Sequence, residues 1–484
     1  MSIFLLLCRM IPVEAQDVYI PVPVENIFHR TELVTVKNIL HTNDNSRWRK
    51  LLGLGLVLNV ENPTIWSTSG DFFTLDQNPT VSLPTTLLQW QLESIGGSTE
   101  IKGGTIPGFK SFYTNSQTWY DLSLGLLDLR NDYTNGAVAF TLKIPSSEFS
   151  SADFHAGDYS MDLTHNYASP GLLALLNPVI FTPPSLKMVL SVPPAISWLS
   201  HVPVKKVVIS SLDDFRTTST FVLGDLGTTE IGNTVDFDLW AAAASASIDF
   251  TSSKGVAGNR NIGIIQLGSP HPKLATRSLS ANWQKVSSSG FEVLKGNRNE
   301  FTLQFSVSSA DLRKYFFEAG TYNFQLNLDA KSPGDMVSAL QSTDVSIQVL
   351  PLSEIFIPGN GQTVNFDFRT AEDYHHGQSK VVPHQIRLSN NENFELYIKS
   401  DTEFFKKDGM SSDIRSDILQ IGVDGGSVEV PLSVTPQKIV LNNTPVLDRE
   451  LDMKYTISAK SAQSLVDKEK TTYSIDVIYS FTTL

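Results

Sequence analysis

Acid–base catalysis needs two ionisable groups facing each other across a substrate, and this sequence offers few pairs that could do so. Asp213 and Asp214 are adjacent, and Asp236 and Asp238 alternate. Two carboxylates working on a sugar bond must stand roughly 5–10 Å apart across it. Pairs this close along one segment read as solvated groups of a strand face or turn. Histidine gives one cluster, His375-His376 with Asp373 and His384 nearby. Successive residues on a strand point to opposite faces, so the pair cannot grip one ion from a regular strand, and the segment reads as a polar loop. H-E-x-x-H, paired-cysteine, G-x-S-x-G, Walker and G-x-G-x-x-G patterns do not occur. Gly53-Leu54-Gly55-Leu56 reads as a packed strand, and Arg130–Gly136 as a turn with too few spaced carboxylates for calcium. No catalytic residue, metal or cofactor is expected, and the chain is not expected to be an enzyme.

Stacking on an exposed aromatic is the remaining recognition chemistry. Trp119-Tyr120 follows a loop with Gly and Ser. Neighbours on a strand cannot both enter one core, so this pair is the expected ligand contact, with a glycan as the ligand class. Trp90 and Trp283 precede the repeated unit described below at comparable places and are expected to share a core role.

The elements that must position such residues are strands. Hydrophobic residues make up 41% of the 484 and charged residues 18%, which suits packed cores and excludes a disordered chain. The apolar set leans to Val, Ile, Leu and Phe, with abundant Ser and Thr, as half-buried pleated surfaces favour. A net charge of −13 argues against nucleic acid or anionic lipid as partner. The tightest basic run, Arg47-Trp48-Arg49-Lys50, reads as a solvated turn.

A strand–loop–strand unit occurs at Phe140–Tyr167, Phe301–Leu328 and Tyr455–Phe481. Each copy opens on an aromatic residue and Thr, passes through a polar stretch to Tyr159, Tyr322 or Tyr473, and closes on an alternating strand. In Phe324, Leu326 and Leu328, and again in Ile475, Val477 and Tyr479, apolar residues take every second position, the period of a strand with one wet face. Gly157 and Gly320 suit a loop entering a strand. Each tyrosine is placed to pack its ring while its hydroxyl bonds loop backbone. Thr234–Leu239 and Thr363–Phe368 match each other and are expected to be one early strand of two modules. Proline-bearing segments at Val18–Pro23, Leu190–Pro194 and Gln348–Pro351 are expected to open the modules. Helical periodicity is confined to short stretches such as Leu173–Leu176, Ala241–Ala244 and Asp311–Phe317. The expected fold is all-β, with tandem Ig-like or pilin-like β-sandwich modules at 16–180, 181–350 and 351–484.

Ile3–Leu7 followed by Ala15-Gln16 resembles the end of a secretory signal peptide, here residues 1–15. The one cysteine, Cys8, lies inside it, so the rest of the chain can form no disulfide. No stretch approaches the ~18 apolar residues of a membrane-spanning helix.

The close of each repeat, such as Ala319-Gly320-Thr321-Tyr322 and the strand after it, resembles the closing strands of pilin-like and spore-coat-U-like sandwich proteins. The whole chain is similar to exported surface proteins of Bacteroidetes-type bacteria. That resemblance implies an exported, fimbria-like structural or adhesive protein at the cell surface. Its partners would be a host or cell-surface protein or glycan, or sister subunits. A secreted glycan-binding protein is the alternative, and a glycoside hydrolase or its accessory subunit the second alternative.

Overall fold

The computed structural model describes residues 16–42, 56–58, 62–96, 104–122, 126–128, 136–166, 181–359 and 362–483. The expected leader with Cys8, the basic run Arg47–Lys50, most of Gly53–Leu56 and of Arg130–Gly136, and Leu173–Leu176 lie outside them. The protein is all-β. Buried apolar side chains gather into three clusters, drawn from Val18–Val192, Val202–Val349 and Ile386–Ala462.

The first sandwich runs β1 (Gln16–Pro21), α1 (Val24–His29), β2 (Leu33–Thr42), β3 (Thr64–Ser67), β4 (Gln89–Ile95), β5 (Ala137–Ile144), α2 (Glu148–Ser151), β6 (Gly157–Asn166) and β7 (Ser185–Val192). One sheet has the order β1-β7-β6-β3, with β1 parallel to β7 and the other pairs antiparallel. The facing sheet is β2-β5-β4.

The second sandwich repeats this plan. It runs β8 (Lys205–Ile209), α3 (Leu212–Arg216), β9 (Phe221–Asn233), β10 (Asp238–Ala243), β11 (Ile265–Gly268), β12 (Arg298–Val307), α4 (Ser309–Tyr315), β13 (Gly320–Lys331) and β14 (Ser338–Val349). Its sheets are β8-β14-β13-β10, again with a parallel first pair, and β9-β12-β11.

The third has α5 (Ala371–His376), β15 (Gly377–Asn390), β16 (Phe394–Ser400), β17 (Leu419–Val423), β18 (Val446–Ser458), α6 (Ala459–Gln463) and β19 (Val477–Thr483). The sheet β15-β18-β17 matches β9-β12-β11, and β16 pairs with β19 as β10 pairs with β13.

The repeated unit is the strand–helix–strand crossover between the two sheets of each sandwich. The crossover tyrosine bonds backbone four residues upstream in every copy. His155 N donates to Tyr159 Oη at 2.8 Å, Tyr322 Oη donates to Glu318 O at 2.8 Å, and Tyr473 Oη donates to Glu469 O at 3.2 Å. Gly320 turns the chain into β13 at φ 156°, where a Cβ would meet Thr251 O at 2.4 Å, so no larger residue fits.

Two expected features sit elsewhere. Leu190–Val192 and Gln348–Val349 are the ends of β7 and β14, so the prolines after them stiffen the exit from a closing strand rather than the start of the next module. For the same reason β7 lies beyond residue 180, hydrogen-bonded along β6.

Adjacent sandwiches meet through one device used twice. Ala156 N, in the first crossover, donates to Thr234 O at 2.7 Å, and Ala319 N, in the second, donates to Asn391 O at 2.9 Å. Thr234 Oγ1 then bonds Ala195 N and Pro193 O, as the Asn391 amide bonds Leu352 N and Leu350 O. Fully buried Asn297 adds bonds to Phe154 N and O at 3.0 and 2.8 Å. At the second junction Arg216 of α3 reaches Asp213, Glu354 and Asp448 at 3.0, 2.9 and 2.8 Å. The Arg216 hydrogen bond holds the Asp448 carboxyl below its ordinary value.

A carboxyl depressed by folding contributes stability that is complete above the ordinary value of 3.8 and is lost as pH falls through the lower folded value. Arg216→Ala should therefore cost about 1–2 kcal/mol at neutral pH in urea denaturation, and clearly less at about pH 2. An equal cost at both values would contradict the junction's ionic character.

Candidate functional site

Each complete sandwich buries its penultimate strand between two neighbours. β6 lies between β7 and β3, and β13 between β14 and β10. In the third sandwich β19 pairs with β16 on one edge, and among the described residues no strand pairs with the other. The position held by β7 and β14 elsewhere is open there.

The opening segment that should flank that position is present. Residues 362–368 precede α5 as β8 precedes α3, yet they form no ladder. They are held by other means. Thr370 and Asp373 close a capping box on α5, Tyr374 Oη donates to Phe368 O at 3.2 Å, and the Lys380 ammonium lies 5.8 Å from the Phe366 ring centre. Backbone and side-chain bonds from Thr370, with Arg369 N, pull the Asp373 carboxyl down to about 2.

Between this segment and the chain leading into β19 runs a groove of about 920 Å³. Val364, Phe366 and Phe368 line one wall, and Ile475, Val477 and Tyr479 the other. All six are half-buried, whereas their counterparts under a closing strand are sealed. The crossover tyrosine is the internal control. Tyr159 and Tyr322, opposite Leu190 and Ile347 of the closing strands, are 0% exposed, while Tyr473 is half-buried. Burial pushes the first two phenols well up.

The floor of the groove is not wholly apolar. Tyr455 Oη and Tyr479 Oη lie 2.6 Å apart, and burial raises both phenols. The rest of the lining combines the apolar walls with charged groups such as Arg369, Lys468 and Asp476 at the rim.

The residues singled out in the sequence do not meet here. Trp119 and Tyr120 are 2% and 0% exposed in the first core, with the Trp119 ring edge-on to Phe140 and Phe181 at 5.7 and 5.0 Å. They are therefore not a surface pair. The chain changes sheets between them, from Gln117–Thr118 to Asp121–Leu122, and that break lets two successive side chains both point inward. Trp90 is buried in β4, but Trp283 is 40% exposed beside Gln284–Lys285, so the two are not counterparts.

Thr234–Leu239 leads into β10, and the pairing of β10 and β16 with their penultimate strands makes Phe394–Ser400 its true counterpart. The similar Thr363–Phe368 occupies the β8 position instead. The acidic pairs are spent on structure. Asp238 binds Lys285 and Ser287, Asp236 accepts from Val293 N, and Asp213 joins Arg216. His376 and His384 face Glu372 and Glu450 on the surface, at 2.9 and 2.7 Å.

No protein-family model and no curated protein matches the sequence. Among solved structures, CfaE, the adhesive subunit of CFA/I fimbria of enterotoxigenic Escherichia coli, is similar at 10% identity over 69% of this chain and 98% of that one, with TM-score 0.26. The chaperone–tip adhesion subunit complex CsuC–CsuE of archaic chaperone-usher Csu pili of Acinetobacter baumannii is similar at 13% identity over 59% and 99%, with TM-score 0.27. The CupB6 tip adhesin of Pseudomonas aeruginosa is similar at 7% identity over 60% and 84%, with TM-score 0.23. At such scores the likeness carries no argument about this chain, and the groove has to speak for itself.

The open position makes the tyrosine hydrogen bond unequal among the sandwiches. Tyr322→Phe should cost about 1 kcal/mol in urea denaturation, because Glu318 O loses a buried partner. Tyr473→Phe should cost less than about 0.5 kcal/mol, because water reaches the site. Equal costs would mean that the groove is closed in solution.

Proposed function

We propose that this chain is a non-catalytic, exported structural and adhesive protein of the cell surface. Its third sandwich takes a β-strand from outside the described residues, and we propose another polypeptide as the donor, so that the protein joins a larger, fimbria-like assembly. The observation that carries this reading is the open strand position beside β19, where both other sandwiches hold a closing strand of their own.

A strand in that position would run antiparallel to β19 and parallel to residues 362–368, as β14 does between β13 and β8. It would pair the free edge of β19 and bury the groove's half-exposed side chains. Full burial of a large apolar side chain is worth about 1.5–3 kcal/mol, so a handful of such residues yields a stable complex. Strand addition to a sheet edge draws affinity from main-chain bonds and specificity from alternate side chains. We take a sister subunit of the same assembly as the donor.

The sandwiches themselves read as three modules, joined within 193–204 and after residue 349. The leader at residues 1–15, the acidic surface and the absence of cysteine after Cys8 support export.

Supplying the strand in cis tests the reading. A flexible linker and a copy of residues 338–349 appended after Leu484 should raise Tm by about 5 °C or more. The same linker with a scrambled copy should leave it unchanged. No difference between the two fusions would contradict the proposal.

A further inference from the structure

Resting on the strand-acceptor reading, we infer that the groove selects its donor through a hydrogen bond. The donor carries a polar side chain of the Gln, Asn or Ser class opposite Tyr479, and this residue fixes the register of the incoming strand.

The registers of the sheets locate the position. Tyr479 lies opposite Ile398 of β16, as Leu328 lies opposite Ala241 of β10, so Tyr479 and Leu328 occupy the same layer. In the second sandwich the closing strand places Gln341 across from Leu328, buried at 9% exposure, and then Thr343, Val345 and Ile347 across from the next core positions. In the first sandwich the same layer holds His165, whose Nε2 meets the backbone oxygen of Pro183, just before the closing strand, at 2.6 Å. Each complete sandwich thus places a polar group at this level; the second adds Thr343 at the next, where its Oγ1 donates to Pro203 O at 2.9 Å.

The third sandwich places two phenols there. Tyr455 stands where the second crossover has Phe305, three residues before the helix N-cap, and its Oη meets that of Tyr479 at 2.6 Å. A phenol both donates and accepts, so although Tyr455 also bonds the Gln385 side chain, the two phenols still hold one O–H for the groove. An apolar donor residue would seal that capacity away from water, whereas a carboxamide or hydroxyl would meet it. In a donor whose other inward residues are apolar, a strand slipped by two residues keeps its apolar face inward but moves the polar residue off the phenols. The pair therefore discriminates register, which an all-apolar groove does weakly.

The chain itself supplies the probe. A labelled peptide with the sequence of residues 338–349 but with Thr343→Val, which removes the second inward polar side chain, would place Gln341 against Tyr479. It is titrated against the full-length protein by fluorescence anisotropy, beside the same peptide with Gln341→Leu. The inference expects the parent peptide to bind about tenfold more tightly, although the leucine peptide is the more hydrophobic. In the Tyr455→Phe/Tyr479→Phe protein, a conservative change whose folding is checked by circular dichroism, the preference should vanish or reverse. Equal binding of the two peptides, or a preference that survives the double substitution, would overturn the inference and leave the strand-acceptor reading intact. Binding of neither peptide to either protein would overturn both.

Discussion

An interior β-strand must have both edges hydrogen-bonded, and the architecture of this protein follows from how that requirement is met. In the first two sandwiches the penultimate strand is paired on both sides, and its crossover tyrosine is sealed. In the third the same strand has one neighbour. Unpaired N–H and C=O groups on an apolar strand invite another strand. The chain does not blunt this edge with a bulge or a covering helix. It flanks it with an opening segment held by its own hydrogen bonds and with an apolar-walled groove of about 920 Å³.

The rest of the molecule gives that vacancy a rigid base. The two junctions use the same backbone bonds, from Ala156 to Thr234 and from Ala319 to Asn391. The residues around those donors are Phe154 and Phe317, both buried. The corresponding stretch of the third crossover is Lys468-Glu469-Lys470, and Lys468 and Lys470 are engaged locally with Asp413 and Tyr374. The stacking device therefore stops at the third sandwich. What that sandwich presents instead is its open side, which differs in kind from the surfaces that join the modules.

Much of the scaffold was legible because β-strands write their burial with period two. The crossover, its tyrosine and the glycine before β13 could be read directly from Phe301–Leu328 and its copies, since each depends on residues close in sequence. The groove was not legible in the same way. Val364, Phe366 and Phe368 alternate like any strand, and only the structure shows that they pair with none among the described residues. The match between Thr234–Leu239 and Thr363–Phe368 misled for the same reason: alternation records which side chains face inward, not which strand lies alongside. Trp119 and Tyr120 were misplaced because a change of sheet between them breaks the rule that neighbours face opposite ways.

Amide hydrogen exchange along the three penultimate strands tests the central claim most directly. In the full-length protein alone, the amides of β6 and β13 should be protected throughout, while those of β19 that face the groove should exchange orders of magnitude faster. Addition of a peptide with the sequence of residues 338–349 should slow them toward the β13 level. Protection of β19 equal to that of β13 without any added strand would contradict the account.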